Sequence, residues 1–407
     1  MSRVAVNTFW LFLSQLGGIV IPLVELPVLA RALGPYHYGL VLYTVGVSLT
    51  ASVFVEFGFN FSGARAVVRA SRDRQQMAQL VTDVLSAKLI LALLVLLFSL
   101  AIFSYGSGGT KVPLEWLPWT VCFICAFGFS PVWYFIGIER MMTTALLDLG
   151  LRTAGLLVTI LTVSSPRHAE RVLMIQACVG VLNTLIPSII MIRRTGMGPM
   201  RIGRALHAIR ESWELFLYKG AQNIMGSIAS TLIGYFGGPS AVGAFVPAEK
   251  VVRAATGFIS TALNAAFPHL VRQQFAGRAK ARQLVTVGLF IMLTISVLFA
   301  ASVTVLAPML VHLVFGHGYD DAIYLLKLLV WIVPLRACSM TISVLWMIPS
   351  GHELLASRAM VFNVLLIGLV AAILVPRMQG AGMAVAFSLA EITMFSVLVG
   401  FFLKVKS

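Results

Sequence analysis

The chain has 407 residues, of which 59% are apolar and 11% are charged. Because about a quarter of the residues in a soluble globular domain are charged, this composition excludes a protein whose main solvent is water. The net charge of +15 would suit nucleic-acid binding, but the cations lie in short gaps between apolar runs instead of on one basic face. We therefore expect an integral membrane protein without a nucleic-acid partner.

Apolar runs long enough to cross a bilayer occur twelve times along the chain. A helix needs about 20 such residues to span the hydrocarbon core. In chain order the runs are Val4–Ala30, Tyr38–Phe61, Leu80–Phe103, Pro113–Ile136, Met142–Val163, Val172–Ile192, Trp213–Phe236, Ala241–Phe267, Leu284–Phe315, Ile323–Ile348, Leu355–Val375 and Gly380–Leu403. The sequence thus predicts about 12 transmembrane helices.

The cations between these spans predict the orientation of the chain. When the spans are threaded alternately through the membrane, most Lys and Arg residues of the connections fall on one side, among them Arg72, Arg140 and Arg204. Lys and Arg are concentrated in cytoplasmic loops. We therefore expect a multi-pass protein with both termini in the cytoplasm.

The two halves of the chain match each other at one offset of 204 residues. Leu11–Leu13 matches Leu215–Leu217, Gly34-Pro35 with Gly39 matches Gly238-Pro239 with Gly243, and Gln79–Thr82 matches Gln283–Thr286. Several matches at a constant offset indicate a duplication. Because each half holds six spans, both repeats enter the membrane from the same side and should be parallel.

The predicted fold is therefore an all-α integral membrane protein with two parallel six-helix repeats around a central cavity. Residues 1–195 form the predicted N-terminal bundle, residues 196–211 a basic cytoplasmic linker, and residues 212–407 the C-terminal bundle. Two pseudo-symmetric bundles that rock about a site near mid-bilayer are a recurring transporter architecture.

Charged residues inside the spans are the main candidates for function. A charge at the centre of a membrane helix costs about 2.5 to 3.5 kcal/mol on insertion scales, so those that persist usually face an interior cavity. The cations of this kind are Lys88, Arg152, Lys219, Lys250, Arg253, Lys327 and Arg336, and the anions are Glu25, Glu56, Asp148, Glu249 and Glu391.

Some of these charges have a structural explanation. Asp148 with Arg152 and Glu249 with Arg253 have the i, i+4 spacing, acid first, that pairs across one helical turn, and such pairs can serve only to neutralise each other. Lys88 lies about two turns inside its helix, as does Lys327, so their long side chains could extend to the membrane interface.

The remaining cations indicate an anionic substrate. Lys219, Lys250 and Arg336 lie deeper, have no evident partner in their own helices, and all belong to the second half. Ammonium and guanidinium groups in a wet cavity suit a phosphate or pyrophosphate, to which they donate charge-assisted hydrogen bonds. The alternative interpretation is that these cations form ion pairs that hold helices together.

Several segments resemble one known family. They are Leu29–Pro35 followed by Tyr38-Gly39, Glu56–Arg65, Pro131–Met141, and Gly238-Pro239 with Ala248–Arg253. They are similar to motifs of the polysaccharide transporter family, the Wzx-type flippases for O-antigen and exopolysaccharide units. That family belongs to a superfamily that also contains multidrug exporters and the lipid II flippase.

The resemblance implies a flippase that moves an undecaprenyl-pyrophosphate-linked oligosaccharide from the cytoplasmic to the periplasmic leaflet of a bacterial inner membrane. Membrane lipids, a polysaccharide polymerase and a chain-length regulator would be its partners. The candidate substrate-binding residues are Lys219, Lys250, Arg253, Arg336, Arg152, Lys88 and Arg31. Glu56, Glu25 and Glu391 are the candidates for coupling to an ion gradient.

Three other functions remain open at this stage. A multidrug exporter shares the two-bundle architecture but should have unpaired acids in its cavity. A polymerase or glycosyltransferase should have a large external loop, whereas no predicted external connection much exceeds about ten residues. A structural scaffold would leave the charges in the spans without a reason. The four cysteines lie in apolar runs, and we expect no disulfide framework, metal or other cofactor.

Overall fold

The computed structural model describes residues 3–105, 110–220, 226–275, 278–347, 350 and 352–404, and within these ranges it describes most side chains. The described residues form helices joined by short turns. The helices are α1 (Arg3–Glu56), α2 (Phe59–Ala70), α3 (Arg74–Tyr105), α4 (Leu117–Gly128), α5 (Val132–Gly137), α6 (Met141–Thr162), α7 (Ala169–Thr195), α8 (Ile202–Leu215), α9 (Ile228–Phe275), α10 (Arg278–Val314), α11 (Asp320–Leu329), α12 (Ile332–Ile342) and α13 (Glu353–Lys404). Short 3₁₀ turns cover Leu114–Trp116 and Pro166–His168, and π-helical turns cover Phe216–Gly220 and Ser343–Met347.

The described residues contain eight helical segments that are long and apolar enough to cross a membrane. Two of them, Leu16–Ala70 with 55 residues and Arg358–Leu403 with 46, exceed twice the roughly 20 residues that one crossing needs. The prediction of an all-helical, multi-pass membrane protein is confirmed. The count of twelve spans stays a prediction.

Three of the connections expected between spans are sharp kinks inside continuous helices. Gly34 interrupts α1 with φ 70° and ψ 170°, Gly238 interrupts α9 with φ 82° and ψ 176°, and Gln379 interrupts α13 with φ 49°. Glycine adopts a positive φ without steric cost, which explains the residue type at the first two kinks. Gly34 and Gly238 are 204 residues apart and share one backbone conformation, as the sequence matches would require of a repeat.

The chain divides into two compact units. The first comprises residues 1–33 and 40–231, and the second comprises residues 34–39 and 232–407. The segment 34–39 at the first kink therefore belongs with the C-terminal half. The division expected from the sequence, with bundles at 1–195 and 212–407, stays a prediction.

Aromatic residues form the core of the first unit. Phe59, Trp133 and Phe135 are almost completely buried where α2 packs against α5. The ring of Trp133 fills the space beside Gly63, so a Cβ at that position would meet the indole. In the same unit α7 packs against both α4 and α6.

The segment between α7 and α8 is fixed to α3 by hydrogen bonds. The Gly198 amide donates to Thr82 Oγ1 at 2.9 Å, and Gln79 Nε2 donates to the Pro199 carbonyl at 3.1 Å. Arg204 of α8 forms a salt bridge with Asp83, with 3.0 Å between Nε and Oδ2. These contacts dock α8 on the first unit, which the sequence alone does not reveal.

The second unit has its own core. Trp346, Leu398 and Phe402 pack together with Leu263 and Ile342. The helices α10 and α12 are in contact, and α13 packs against both α11 and α12. Arg336 on α12 and Glu391 on α13 thus come within reach of each other.

Candidate substrate and ion sites

Lys250 and a buried tyrosine form the centre of one candidate site in the second unit. The Lys250 ammonium donates a hydrogen bond to Tyr38 Oη at 3.3 Å and lies 5.7 Å from the centroid of the same ring. Tyr38 is fully buried, and the kink at Gly34 brings it there. A cation over an aromatic face gains electrostatic stabilisation. The sequence identified Lys250 as a candidate, whereas Tyr38 stood out only as part of a segment that resembles the family.

A second tyrosine interacts with the first. Tyr319, in the turn before α11, is almost completely buried, and burial raises its pKa, with a smaller contribution from Tyr38. Its phenol is therefore neutral at physiological pH. Tyr319 therefore adds no negative charge beside Tyr38.

Arg253 lies one helical turn after Lys250 on α9. The i, i+4 pair predicted from the sequence is confirmed, since Arg253 Nη2 is 2.5 Å from Glu249 Oε1. The Glu249 side chain is 11% exposed, whereas that of Arg253 is 49% exposed. A guanidinium has five N–H donors in a planar fork, so the exposed part of Arg253 can donate to an anion while the salt bridge persists.

Arg336 has a partner that the sequence did not reveal. Its Nε donates to Glu391 Oε1 at 2.8 Å, and its Nη2 bonds to the same oxygen. The Glu391 side chain is 5% exposed and that of Arg336 is 24% exposed. The two charges neutralise each other between α12 and α13, and this geometry favours the helix-packing interpretation for these two residues.

The first unit contains a cluster of polar side chains from α1, α6 and α7. Asp148 Oδ1 accepts hydrogen bonds from Arg152 Nε at 2.7 Å and from Asn183 Nδ2, and Ser14 Oγ donates to Asp148 Oδ2 at 3.3 Å. The predicted pair between Asp148 and Arg152 is therefore confirmed. Three side chains therefore donate hydrogen bonds to the carboxylate of Asp148.

Glu25 of α1 is hydrogen-bonded to a side-chain amide of α7. Gln176 Nε2 of α7 donates to Glu25 Oε1 at 3.3 Å. Gln176 and Asn183 are seven residues apart, which is two helical turns, so one face of α7 holds the partners of both acids.

Glu56 and Lys88 are both buried elsewhere in the first unit. The Glu56 carboxylate accepts backbone hydrogen bonds from Gly58 at 3.1 Å and Asn60 at 2.7 Å, so it caps the start of α2. Lys88 interacts electrostatically with Glu56 and donates to the Ser130 carbonyl at 2.9 Å.

The expectation that Lys88 extends to the membrane interface is wrong. Its side chain is 0% exposed. The physical reason lies in the break between α4 and α5, because Ser130 lies outside both helices and its carbonyl is available to the ammonium. A lysine can therefore be buried here with a satisfied donor.

The remaining candidates are more exposed or lie outside the described side chains. Arg31 is exposed just before the kink at Gly34, and Lys327 is exposed in the last turn of α11. The side chain of Lys219 lies outside the described residues, although its backbone belongs to the π-helical turn Phe216–Gly220.

Helical membrane segments in two compact units, with ion-paired charges inside them, make up the described fold. The structure aligns with the lipid II flippase MurJ in an inward closed conformation, with a TM-score of 0.75 at 13% identity over 99% of this chain and 88% of that one. It also aligns with an inward-facing multidrug resistance transporter of the MATE family, with a TM-score of 0.62 at 17% identity over 95% and 96% of the two chains.

The amino-acid sequence assigns the chain to one family, which the structural alignments alone do not do. Residues 4–274 match the polysaccharide biosynthesis protein family, and the chain belongs to it. Two relatives, both named "Putative O-antigen transporter", come from Escherichia coli (strain K12) and Shigella dysenteriae. The first is 23% identical over 79% of this chain and 78% of its own length, and the second is 24% identical over 95% and 96%. The family resemblance seen in the motifs is confirmed.

Proposed function

We propose that the protein is a flippase that moves an undecaprenyl-pyrophosphate-linked oligosaccharide from the cytoplasmic to the periplasmic leaflet of a bacterial inner membrane by alternating access. The oligosaccharide would be a repeat unit of O-antigen, capsule or exopolysaccharide. Membership of the polysaccharide biosynthesis family, the O-antigen relatives and the fold shared with a lipid II flippase support this proposal. Twelve spans in two parallel repeats, cytoplasmic termini, and a polymerase and chain-length regulator as partners belong to the same proposal.

The observation that carries the proposal is the pair of cations on α9. Lys250 and Arg253 are three residues apart and therefore neighbours on one helical face. The exposed guanidinium of Arg253 and the ammonium of Lys250 beside Tyr38 offer donors to a pyrophosphate. We propose these two residues as the main substrate ligands of the second unit, with Lys219 and Arg31 as further candidates.

Three of the other cations have a structural role in this proposal. Arg336 is bound to Glu391, Arg152 to Asp148, and Lys88 to the Ser130 carbonyl. Each of them is less exposed than Arg253, at 24% for Arg336, 37% for Arg152 and 0% for Lys88 against 49% for Arg253, and so offers fewer free donors to a substrate. We therefore propose that these residues hold helices together instead of contacting the pyrophosphate.

Replacing Lys250 and Arg253 together by Gln should slow transport by at least about 10-fold per residue. Hydrogen bonds to charged groups contribute about 1.5–3 kcal/mol, and every 1.4 kcal/mol corresponds to a factor of ten. The measurement is leaflet exchange of a fluorescent polyprenyl-pyrophosphate oligosaccharide in liposomes that contain the purified variant. Lys327→Gln is the matched control, since Lys327 is an exposed cation at a helix end. If the double variant and the control exchange the lipid at equal rates, the assignment of Lys250 and Arg253 to the substrate site is wrong.

Glu25 is our proposal for the residue that couples transport to an ion gradient. Of the three acids considered, Glu56 accepts two backbone amides and interacts with Lys88, and Glu391 is bound to Arg336. Glu25 is bound to the neutral amide of Gln176, so proton or cation binding there breaks no ion pair.

Glu25→Gln should abolish the acceleration of exchange by an imposed proton or sodium gradient while slow exchange without a gradient persists. The amide keeps the size of the side chain but cannot release a proton. Exchange is measured with and without the gradient in the same liposomes. Glu115→Gln, which changes an exposed acid, serves as the control. A gradient effect that survives in Glu25→Gln would contradict the assignment.

An exporter of small cationic molecules is the second candidate. The alignment with a multidrug transporter of the MATE family and the acids of the first unit favour it. Such an exporter would move cationic dyes across the membrane and would be indifferent to the loss of Lys250. The exchange assay with a dye in place of the lipid therefore distinguishes the two functions.

A further inference from the structure

The helix α8 has one face that is packed against the protein. Ala205 and Ser212 are almost completely buried, and Ser212 Oγ is 2.7 Å from Ser62 Oγ of α2. Arg204 is bound to Asp83 of α3. After α8 the Phe216 ring stacks on Phe57, with 4.3 Å between the ring centroids. These contacts fix the rotation of the helix, so the directions of its other faces are also fixed.

A second face of α8 is apolar and exposed. Ile202, Leu206 and Trp213 have side chains that are 51–64% exposed, and Leu217 continues the row into the π-helical turn. The spacing of four and seven residues puts these side chains on one side of the helix. Trp213 contacts the Phe57 ring, with 6.0 Å between the ring centroids, but in the described part of the first unit all three side chains stay more than half exposed. A row of large apolar side chains that the protein leaves uncovered marks an interaction surface.

The third face is polar and rich in cations. Arg201 precedes α8, and His207 and Arg210 lie on it together with Glu211 and Glu214. Arg210 borders the apolar row, because it is four residues after Leu206. The exposed Arg193 and Arg194 at the end of α7 add two further cations to the same connection between spans. The positive charge therefore exceeds the negative charge beside the apolar row.

We infer that α8 lies in the plane of the membrane surface, with the row Ile202, Leu206 and Trp213 inserted at the boundary of headgroups and acyl chains. Arg201 and Arg210 then bind the phosphates of acidic phospholipids. A helix with an apolar face, a polar face and flanking cations has this preference, since burial of apolar area and attraction to anionic lipids act together. Because α8 packs one face against α2 and α3, its apolar face and its cationic face remain free. A membrane surface fits both, since acyl chains suit the apolar face and lipid phosphates suit the cations.

The position of α8 is tested with a fluorophore attached to single cysteines in a variant that lacks Cys122, Cys125, Cys178 and Cys338. An environment-sensitive nitrobenzoxadiazole group on Leu206→Cys should emit at shorter wavelength than the same group does in water. It should also be quenched by lipids brominated near the headgroup. The same group on His207→Cys, on the polar face, should be quenched by aqueous iodide instead. Equal access of both labels to iodide in full-length protein in nanodiscs would overturn the inference, whatever the transport activity.

The lipid preference is tested by the thermal midpoint of the full-length protein in nanodiscs. Replacing part of the phosphatidylcholine by phosphatidylglycerol should raise the midpoint of the wild type, and high salt should reduce that gain. Arg201→Gln with Arg210→Gln should lose most of the gain. The control is Arg167→Gln with Arg171→Gln, which changes two exposed arginines, one in the turn before α7 and one at the start of α7, and should keep the gain. An equal gain in both double variants would contradict a role for Arg201 and Arg210.

Discussion

Replacing Arg336 by Met should destabilise the second unit by about 3 kcal/mol, because removal of one partner leaves a buried charge without compensation. Glu391 is 5% exposed and accepts two hydrogen bonds from Arg336. The expected result is a midpoint of thermal unfolding several degrees below that of the wild type, measured by scanning calorimetry or fluorescence in detergent.

A second substitution separates a packing role from a substrate role. When a buried ion pair is replaced as a whole by apolar residues of similar volume, stability is often kept. Arg336→Met with Glu391→Met should therefore recover the thermal midpoint and also leaflet exchange. Lys327→Met, which removes an exposed cation from α11, should change neither quantity. A stable double variant that does not transport would show that Arg336 contacts the substrate.

Placing alanine at Gly39 or Gly243 should destabilise the contact between the two kinked segments by about 1–3 kcal/mol, the usual cost of overpacking. A Cβ on Gly39 would collide with the Pro239 carbonyl oxygen, and a Cβ on Gly243 would collide with the Pro35 carbonyl oxygen. Both obstacles are backbone atoms, which cannot rotate away. The two contacts are reciprocal, since each glycine and each proline is related to its counterpart by the offset of 204 residues.

The prediction for these glycines is measured by hydrogen exchange of the peptides around 34–39 and 238–243, together with the thermal midpoint. Both variants should exchange faster in these peptides and unfold at lower temperature. Gly368→Ala in α13 is the matched control, because no atom lies within 4 Å of its added Cβ. Alanine inside a helix is favoured over glycine by about 1 kcal/mol, so the control should be unchanged or more stable. Similar behaviour of all three variants would mean that the close contact does not constrain the segments.

The lengths of the apolar runs predicted the positions of the helices well. Every membrane span needs such a run, whichever helices it packs against. The expected spans at 80–103, 142–163 and 172–192 lie inside α3, α6 and α7. The expected breaks near 34, 238 and 379 coincide with the kinks. A kink and a short loop have the same sequence signal, a glycine or polar residue between apolar runs, so sequence could not distinguish them.

The site could be predicted only where partners are neighbours on one helix. The pairs of Asp148 with Arg152 and Glu249 with Arg253 follow from helical periodicity. Lys250 meets Tyr38 across 212 residues and Arg336 meets Glu391 across 55. Such contacts depend on how helices pack, which a single sequence does not contain. The burial of Lys88 was missed for the same reason, since it depends on the Ser130 carbonyl at the break between α4 and α5.

The most direct test of the proposed function compares three cargoes in liposomes that contain the wild-type protein. They are a fluorescent polyprenyl-pyrophosphate oligosaccharide, the same lipid without its pyrophosphate, and a cationic dye. A flippase that holds its cargo through Lys250 and Arg253 should exchange the pyrophosphate lipid between leaflets much faster than protein-free liposomes do, and should move the other two little. Transport of the dye without exchange of the pyrophosphate lipid would contradict the flippase assignment.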